Sequence, residues 1–247
     1  MDAVNLLIRR MQQAVDRIRQ DAEKFPEALQ DLVWTQIQAQ AGLRPATWKD
    51  VTWNPDNSGH LRRDARGWYL EISKVHFKNE KGNALEADFH RRLVDKNGLY
   101  RNLERYLRSA RHLLTEGMKT RLLFIYARKN LEIDGSNRKV PGRRTTRFYE
   151  NGLAGRIRTA TNRHLAWDEA AGTGIKGIFG FGPTAFRHIL ATAVLKLTGS
   201  FVLAADAIAD SEQTARKYYT RFKPSDRRES LDDAIVSINT MEASDVA

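Results

Sequence analysis

Apolar residues recur at helical intervals along most of this chain, and this pattern limits the possible folds more than any other feature. Within residues 2–24, one helix face collects Val4, Leu7, Ile8, Met11, Val15 and Ile18. Pro26 and Gly42 suit the start and the stop of a second helix over 27–41. Similar patterns predict helices over 98–116, near 148–164, and over 184–198, 201–209, 212–222 and 229–241.

One stretch departs from the helical pattern. Residues 68–77, Trp-Tyr-Leu-Glu-Ile-Ser-Lys-Val-His-Phe, are rich in β-branched and aromatic side chains and predict a strand. Residues 79–83, Asn-Glu-Lys-Gly-Asn, predict a hairpin turn into a second strand. The expected fold class is therefore α+β and mostly α, helical with one small antiparallel β-sheet.

The charge balance favours a polyanionic partner. The chain carries 41 Lys and Arg against 30 Asp and Glu, a formal net charge of +11. Each Lys or Arg that docks on a phosphate releases condensed counterions, so nucleic acid is the expected class of partner. The alternative is a solvated basic surface. Arginine is densest over 128–163, where Gly-Ser, Pro-Gly and Asn-Gly breaks predict a basic loop or arm.

Several classes of protein are excluded or made improbable by what the sequence lacks. There is no cysteine, which excludes disulfides, thiolate metal sites and cysteine nucleophiles. The histidines show no metal-ligand spacing. Residues 172–177 match the letters of the dinucleotide-binding fingerprint, but neither a strand before them nor a helix directly after them is predicted, so they are expected to be a flexible connection. We expect no metal and no cofactor.

Nothing in the sequence indicates a membrane protein. No apolar run reaches the roughly 18 residues that a membrane-spanning helix needs. The first residues also lack the apolar centre of a signal peptide. A soluble, cytoplasmic protein is expected.

Two short motifs carry candidate functional side chains. In Gly42-Leu-Arg44-Pro45 an arginine follows a helix end, where it could also be a solvated cation favoured by the helix dipole. Adjacent Tyr218 and Tyr219 lie on the predicted helix 212–222, for which Ser211 is the expected N-cap. Taken alone, each motif is compatible with a structural role.

Taken together, these motifs and two others resemble the catalytic domain of the tyrosine recombinases, the phage integrase family. In the first half of the chain, Ala41-Gly-Leu-Arg44 is similar to the family's first arginine block. Phe77-Lys78-Asn79 resembles its lysine hairpin, with Lys74 as a second candidate. The resemblance covers roughly residues 26–223 and is strongest over the last 45 of these.

The second half of the resemblance contains the remaining blocks in the family's order. Thr184-Ala-Phe-Arg187-His188 resembles the His-x-x-Arg-His block. Ile208-Ala-Asp210-Ser211 resembles the Leu-Gly-His-Ser segment, and Tyr219 stands at the place of the nucleophilic tyrosine. The spacings from Arg187 to Asp210 and from Asp210 to Tyr219 agree with those of the family.

The resemblance implies a tyrosine-recombinase-like fold and a phosphoryl-transfer reaction on double-stranded DNA. Tyr219 would attack the scissile phosphorus and leave a 3′-phosphotyrosine and a free 5′ hydroxyl. Arg44 and Arg187 would hold the non-bridging oxygens, and Lys78 would protonate the departing oxygen. Rejoining by another 5′ hydroxyl would complete site-specific recombination or integration, as on a mobile genetic element.

Two positions depart from the family's pattern, because Thr184 and Asp210 stand where the family has histidines. Thr184 can donate one hydrogen bond and is also expected to N-cap its helix. An ionised Asp210 only accepts hydrogen bonds and would repel a nearby phosphate. It could instead accept the tyrosine proton, or turn toward Arg216 or Lys217. The alternative function is therefore a catalytically degenerate relative that binds DNA without cutting it.

A third possibility is a basic nucleic-acid-binding scaffold unrelated to recombination, in which Arg44, Arg187 and Tyr219 need not converge.

The resemblance places the catalytic domain within residues 1–225, with the arm at 128–163. A tail helix over 226–247 is expected to dock on a neighbouring protomer in a homo-oligomer on DNA. A DNA-bound protein of this kind would be associated with the nucleoid. The expected DNA-contacting residues are Lys74, Arg143, Arg144, Arg147, Arg156 and Arg158.

Overall fold

The computed structural model describes residues 1–20, 22–77, 87–115, 119–125, 131–133, 139–141 and 150–219, and of 131–133, 139–141, 150, 151 and 219 the backbone alone. The chain begins with two helices in contact, α1 (Asp2–Arg17) and α2 (Phe25–Ala41). α1 buries one apolar face, as predicted, but ends at Arg17 because Ile18 has an extended backbone. α2 is buried on nearly all sides and forms the centre of the main core.

A small antiparallel sheet follows a single helical turn, α3 (Pro45–Trp48). Its strands are β1 (Leu61–Asp64), β2 (Gly67–Ile72) and β3 (Phe89–Arg92), in the order β1-β2-β3. Alternate residues of β2 face the core: Trp68, Leu70 and Ile72.

The observed strands differ from the predicted ones in two respects. The strand expected over 68–77 ends at Ile72, because Lys74–His76 close a 3-10 turn in which the N–H of His76 donates to the Ser73 carbonyl at 3.0 Å. The strand β1 was not predicted, since Leu-Arg-Arg-Asp has no β-branched or aromatic residue. The expected turn at 79–83 lies outside the described residues.

The middle of the chain is one nearly continuous helical stretch followed by the arm. α4 (Leu99–Arg105), a π-helical segment (Tyr106–Ala110) and α5 (Arg111–Thr115) together occupy the helix predicted over 98–116. In the arm, β4 (Leu131–Ile133) and β5 (Lys139–Pro141) pair as an antiparallel ribbon. The arm then leads into α6 (Glu150–Leu165), close to the predicted 148–164.

Three helices complete the described chain: α7 (Pro183–Thr198), α8 (Phe201–Ala207) and α9 (Glu212–Tyr219). Ser211 caps α9 as predicted, since its Oγ accepts the Thr214 N–H at 3.2 Å. The expectation that Thr184 caps α7 is wrong, because Gly182 holds the N-cap position and Pro183 begins the helix. The predicted helix 229–241 lies outside the described residues.

The elements pack around one large core, and a second, smaller apolar cluster lies among α7, α8 and α9. α7 contributes to both, with Phe186 in the large core and Ala191 and Leu195 in the small one. The predicted fold class, mostly helical with one small antiparallel sheet, is confirmed. Within the described part of the chain, no helix is long and apolar enough to cross a membrane.

Candidate active site

The turn after α2 brings distant parts of the chain together. Gly42 ends the helix in the left-handed conformation with φ 55°, and its N–H donates to the Gln38 carbonyl at 3.0 Å. A Cβ at this position would lie 3.0 Å from a methyl carbon of Ile208 and 3.2 Å from the Ala207 carbonyl oxygen. Glycine therefore allows the turn that carries Arg44 to pack directly against the segment after α8.

A buried amide holds this turn from below. Gln38 Nε2 donates to the carbonyl oxygens of Leu43 at 2.9 Å and Pro183 at 3.3 Å. Its Oε1 accepts the indole N–H of Trp48 at 2.7 Å. One side chain thus ties together the turn, the start of α7 and the helical turn α3. The sequence analysis did not find Gln38, although a glutamine on a buried helix needs polar partners.

Arg187 lies beneath the turn and binds three segments at once. Its side chain is 7% exposed. Nη1 donates to the Gly42 carbonyl at 2.6 Å and to the Ile208 carbonyl at 2.7 Å. Nη2 donates to the Asp210 carboxylate at 2.9 Å. The predicted arginine is therefore held rigidly from inside the protein.

Arg44 meets the same carboxylate from outside. Its Nη2 lies 2.5 Å from Asp210 Oδ2, the oxygen that Arg187 also contacts. The Arg44 side chain is 48% exposed, whereas that of Asp210 is 4% exposed. Two guanidinium groups that converge on one oxygen atom form an arrangement suited to an oxyanion. Here a carboxylate of the protein itself fills it.

The sequence left open whether Asp210 turns toward Arg216 or Lys217, and its observed orientation is different. Asp210 turns toward Arg44 and Arg187, and its Oδ1 accepts the N–H of Ser211 at 3.0 Å. Arg216, offered earlier as a partner of Asp210, pairs with Glu212 at 2.6 Å. A purely solvated Arg44 is also ruled out by its ion pair. Of the three side chains that an unrelated basic scaffold need not bring together, Arg44 and Arg187 do converge.

Two other predicted residues lie on the first turns of α7. Thr184 is exposed near the start of the helix. His188 lines an open cavity of about 510 Å³ together with Asp2 and Thr192, so its ring faces the start of α1. Burial, followed by the charge of Arg187, lowers the pKa of His188.

The expected DNA-contacting residues divide into three groups. Lys74 and Arg158 are exposed, Lys74 on the 3-10 turn and Arg158 on α6. Arg156 instead joins α6 to α2 through Asp31 at 2.7 Å and Glu27 at 3.1 Å. The structure does not describe the remaining expected residues: Lys78, Arg143, Arg144 and Arg147.

Tyr219 is the last residue of α9, which begins two residues after Asp210. The eight residues of this helix span roughly 12 Å at 1.5 Å per residue. The helix contacts α7 and α8, which carry Arg187 and lead into Asp210. The backbone thus links the proposed nucleophile to the arginine pair through one short, capped helix.

A third arginine near this segment was missed by the sequence analysis. Arg91 lies opposite Leu70 on the core side of the sheet and donates to the Asp206 carbonyl at 3.0 Å. Burial lowers the pKa of Arg91, and its Nε has no hydrogen-bond partner among the described residues. Its position in a strand whose other core-facing residues are apolar is the signal that could have revealed it. Within the described ranges, no group of three His, Asp or Glu is placed to hold a metal.

Solved structures of recombinases share this fold. A XerA recombinase structure has a TM-score of 0.52 at 15% identity, covering 94% of this chain and 61% of that one. XerH site-specific recombinase bound to difH substrate in a pre-cleavage complex has a TM-score of 0.53 at 14% identity, with coverages of 91% and 51%. The post-cleavage complex of XerH with palindromic difH gives 0.52 and 15%, with coverages of 91% and 50%.

This chain therefore spans half to three-fifths of the length of those recombinases. In sequence, it matches no protein-family model and no curated protein. At such low identity the similarity shows the fold alone, and it confirms the fold that the sequence motifs implied.

Proposed function

We propose that this protein binds double-stranded DNA and cleaves and rejoins its strands in site-specific recombination, with Tyr219 as the nucleophile. The observation that supports this most is the convergence of Arg44 and Arg187 on one oxygen atom, at 2.5 and 2.9 Å. Guanidinium groups in this arrangement bind the non-bridging oxygens of a phosphodiester and stabilise the charge that develops during displacement.

The two arginines have complementary surroundings. Arg187 is buried and fixed by the carbonyl oxygens of Gly42 and Ile208, so its guanidinium group is held in one orientation before a phosphate binds. Arg44 is half exposed and can meet a DNA backbone that approaches from solvent. Such a pair offers one preorganised contact and one accessible contact to the same phosphate.

The chemical step follows from these roles. The Tyr219 hydroxyl releases its proton to solvent water as its oxygen bonds to phosphorus, and the bond from phosphorus to the 5′ oxygen breaks. Lys78, or the exposed Lys74, supplies the proton to the departing oxygen. Attack by a 5′ hydroxyl on the phosphotyrosine reverses the step and joins the strands. The phosphotyrosine preserves the ester linkage, so rejoining requires no nucleotide cofactor.

Charge and fold both favour DNA as the substrate. The net charge of +11 suits a polyanion, and the structures that share the fold include XerH site-specific recombinase bound to difH substrate. We further propose that the protein assembles as a homo-oligomer on DNA, with the tail 226–247 docked on a neighbouring protomer.

A second candidate function rests on the same residues. The Asp210 carboxylate holds both arginines, and a negative charge in this place opposes phosphate binding. This observation favours a relative that binds DNA through its basic surface without cutting it. The two functions differ in whether a covalent protein–DNA bond ever forms.

The test uses nicked duplexes that trap the covalent intermediate, because the short strand released beside the nick diffuses away. The duplexes carry randomised arms, so that many recognition sequences are sampled. We expect a denaturation-resistant adduct with the natural protein and with Tyr218→Phe, and none with Tyr219→Phe. If the protein binds DNA from this library but never forms an adduct with it, the DNA-binding function replaces the enzymatic one.

A further inference from the structure

Asp210 occupies the place at which the arginine pair would meet a phosphate oxygen. We propose that its carboxylate is an internal anion that closes this site. A phosphate-class oxyanion binds between Arg44 and Arg187 only when the Asp210 carboxylate leaves the two guanidinium groups. The identity of that oxyanion as a DNA phosphate rests on the proposed function. The exchange itself does not, since it concerns the anion site of the protein alone.

The contacts make the two occupants mutually exclusive. Nη2 of Arg187 and Nη2 of Arg44 both point at Asp210 Oδ2, at 2.9 and 2.5 Å. Carboxylate and phosphate oxygens accept from guanidinium groups in the same manner. A phosphate oxygen that took these donors would lie at contact distance from Asp210, where two negative charges repel.

The burial of the carboxylate shows which group must move. The Asp210 side chain is 4% exposed and lies under Arg44, which is 48% exposed. An incoming phosphate therefore reaches Arg44 first. Arg187, at 7% exposed, becomes accessible only after the carboxylate has left.

The backbone beside Asp210 is anchored to the end of α8, so the exchange is a movement of the Asp210 side chain. Asp210 lies in the short link between α8, which ends at Ala207, and α9, which begins at Glu212. Within this link Ala209 has φ 49°, a left-handed conformation that residues with a Cβ adopt rarely. This conformation belongs to the cap of α8, in which the N–H groups of Ala209 and Asp210 donate to the carbonyl oxygens of Asp206 and Ala205 at 3.2 and 3.1 Å.

The exchange is tested with inorganic phosphate and Asp210→Asn, which removes the charge and retains the shape. Thermal unfolding is followed as sodium phosphate replaces sodium chloride at constant ionic strength. We expect the Tm of Asp210→Asn to rise in a saturable way, by roughly 3–6 °C at ten times the phosphate Kd. The natural protein should respond less than half as much, because its carboxylate competes.

Two controls distinguish phosphate binding at the site that Asp210 vacates from a general effect of removing one negative charge. Asp31→Asn removes a buried carboxylate from another arginine, Arg156, and Asp206→Asn removes an exposed charge near the link. Both should respond to phosphate like the natural protein. Arg44→Gln combined with Asp210→Asn should lose the added response to phosphate, because one of the two guanidinium groups of the site is gone.

Equal phosphate responses in Asp210→Asn, the natural protein and both controls would overturn the proposal. If Asp210→Asn is unfolded in chloride, near-UV circular dichroism in the cold gives the answer. Refolding by phosphate supports the exchange, and failure to refold at saturating phosphate contradicts it.

The nicked-DNA assay distinguishes this proposal from the proposed function. If both are correct, Asp210→Asn forms the Tyr219 adduct at least tenfold faster than the natural protein. A phosphate response without any adduct supports the exchange and rejects the cleavage. An adduct without a phosphate response supports the cleavage and rejects the exchange.

Discussion

Arg187 donates a hydrogen bond of 2.6 Å to the main-chain oxygen of Gly42, which lies 145 residues earlier in the chain. This bond joins α7 to the turn after α2 and places Arg44, two residues further on, above the same carboxylate. The candidate site is therefore assembled by backbone contacts that are independent of DNA.

Gly42→Ala should destabilise the protein more than the matched substitution Gly199→Ala. Both glycines end helices with a positive φ, 55° and 67°, so each substitution costs about 1–2 kcal/mol of backbone strain. Only at Gly42 does the new methyl group also crowd Ile208 and Leu190, at 3.0 Å. That crowding adds about 1–3 kcal/mol. Urea unfolding of both variants measures the difference, and equal losses would show that the close approach of the turn is unimportant.

Gln38→Leu should destabilise the protein by about 1–3 kcal/mol, because it leaves the buried indole N–H of Trp48 without its acceptor. Adding Trp48→Phe should recover part of this loss, since the orphaned donor is then removed as well. The free energies of unfolding of the two single variants and the double variant form a complete cycle. Strictly additive losses would show that the bond between Gln38 and Trp48 does not couple them.

The resemblance to the recombinase family singled out Arg44 and Arg187, and the structure brings these two together, but the sequence did not indicate what fills the space between them. Gly42 was recognisable as a helix stop, and Arg44 and Arg187 were recognisable only through the resemblance to the family. The contact of Asp210 with both arginines was not, since it depends on how the link after α8 folds back toward α2. Periodicity predicted the helices well because long apolar faces are strong patterns.

Local chemistry also misled the prediction in particular places. Thr184 is a good N-cap residue, yet Pro183 favours the first helical position and moves the cap to Gly182. The strand β1 pairs Leu61 with Leu70, but its own sequence is mostly charged. In both cases a neighbour in the chain or in the sheet decides the outcome. Gln38 and Arg91 were missed because each has a main-chain partner in a distant segment, Pro183 and Asp206 respectively.

Arg158→Ala and Arg156→Ala should have different effects although the two residues lie two positions apart on α6. Arg158 is exposed, and its loss should reduce the salt dependence of DNA binding by about one phosphate contact. Arg156 pairs with Asp31 and Glu27, so its loss should cost about 1.5–3 kcal/mol of stability. Binding titrations over a range of salt and urea unfolding separate the effects. A smaller salt slope for Arg156→Ala with unchanged stability would contradict this division.

Acid should destabilise the protein partly through His60. Burial, then the charges of His76 and Arg62, lower the pKa of His60 below its ordinary 6.5, while nearby Asp50 acts in the opposite direction. Its Nδ1 accepts the N–H of Thr52 at 3.1 Å and cannot do so once protonated. The unfolded chain therefore takes up the proton first, and stability is lost as the pH falls below about 6.5.

His60→Gln should reduce this loss, because glutamine does not titrate. The measurement is Tm between pH 8 and pH 5, compared with His112→Gln, whose ring is exposed on α5. A variant that keeps the full acid sensitivity of the natural protein would show that His60 does not contribute.

The most direct test of the central claim is to locate the DNA-linked residue by mass spectrometry. Trypsin cleaves after Lys217 and Arg221, so both adjacent tyrosines fall in the peptide Tyr-Tyr-Thr-Arg. After nuclease digestion of the trapped adduct, fragmentation of this peptide assigns the remaining 3′-phosphonucleotide to one residue. We predict that it lies on Tyr219. A nucleotide on Tyr218 or on any other peptide would contradict the account.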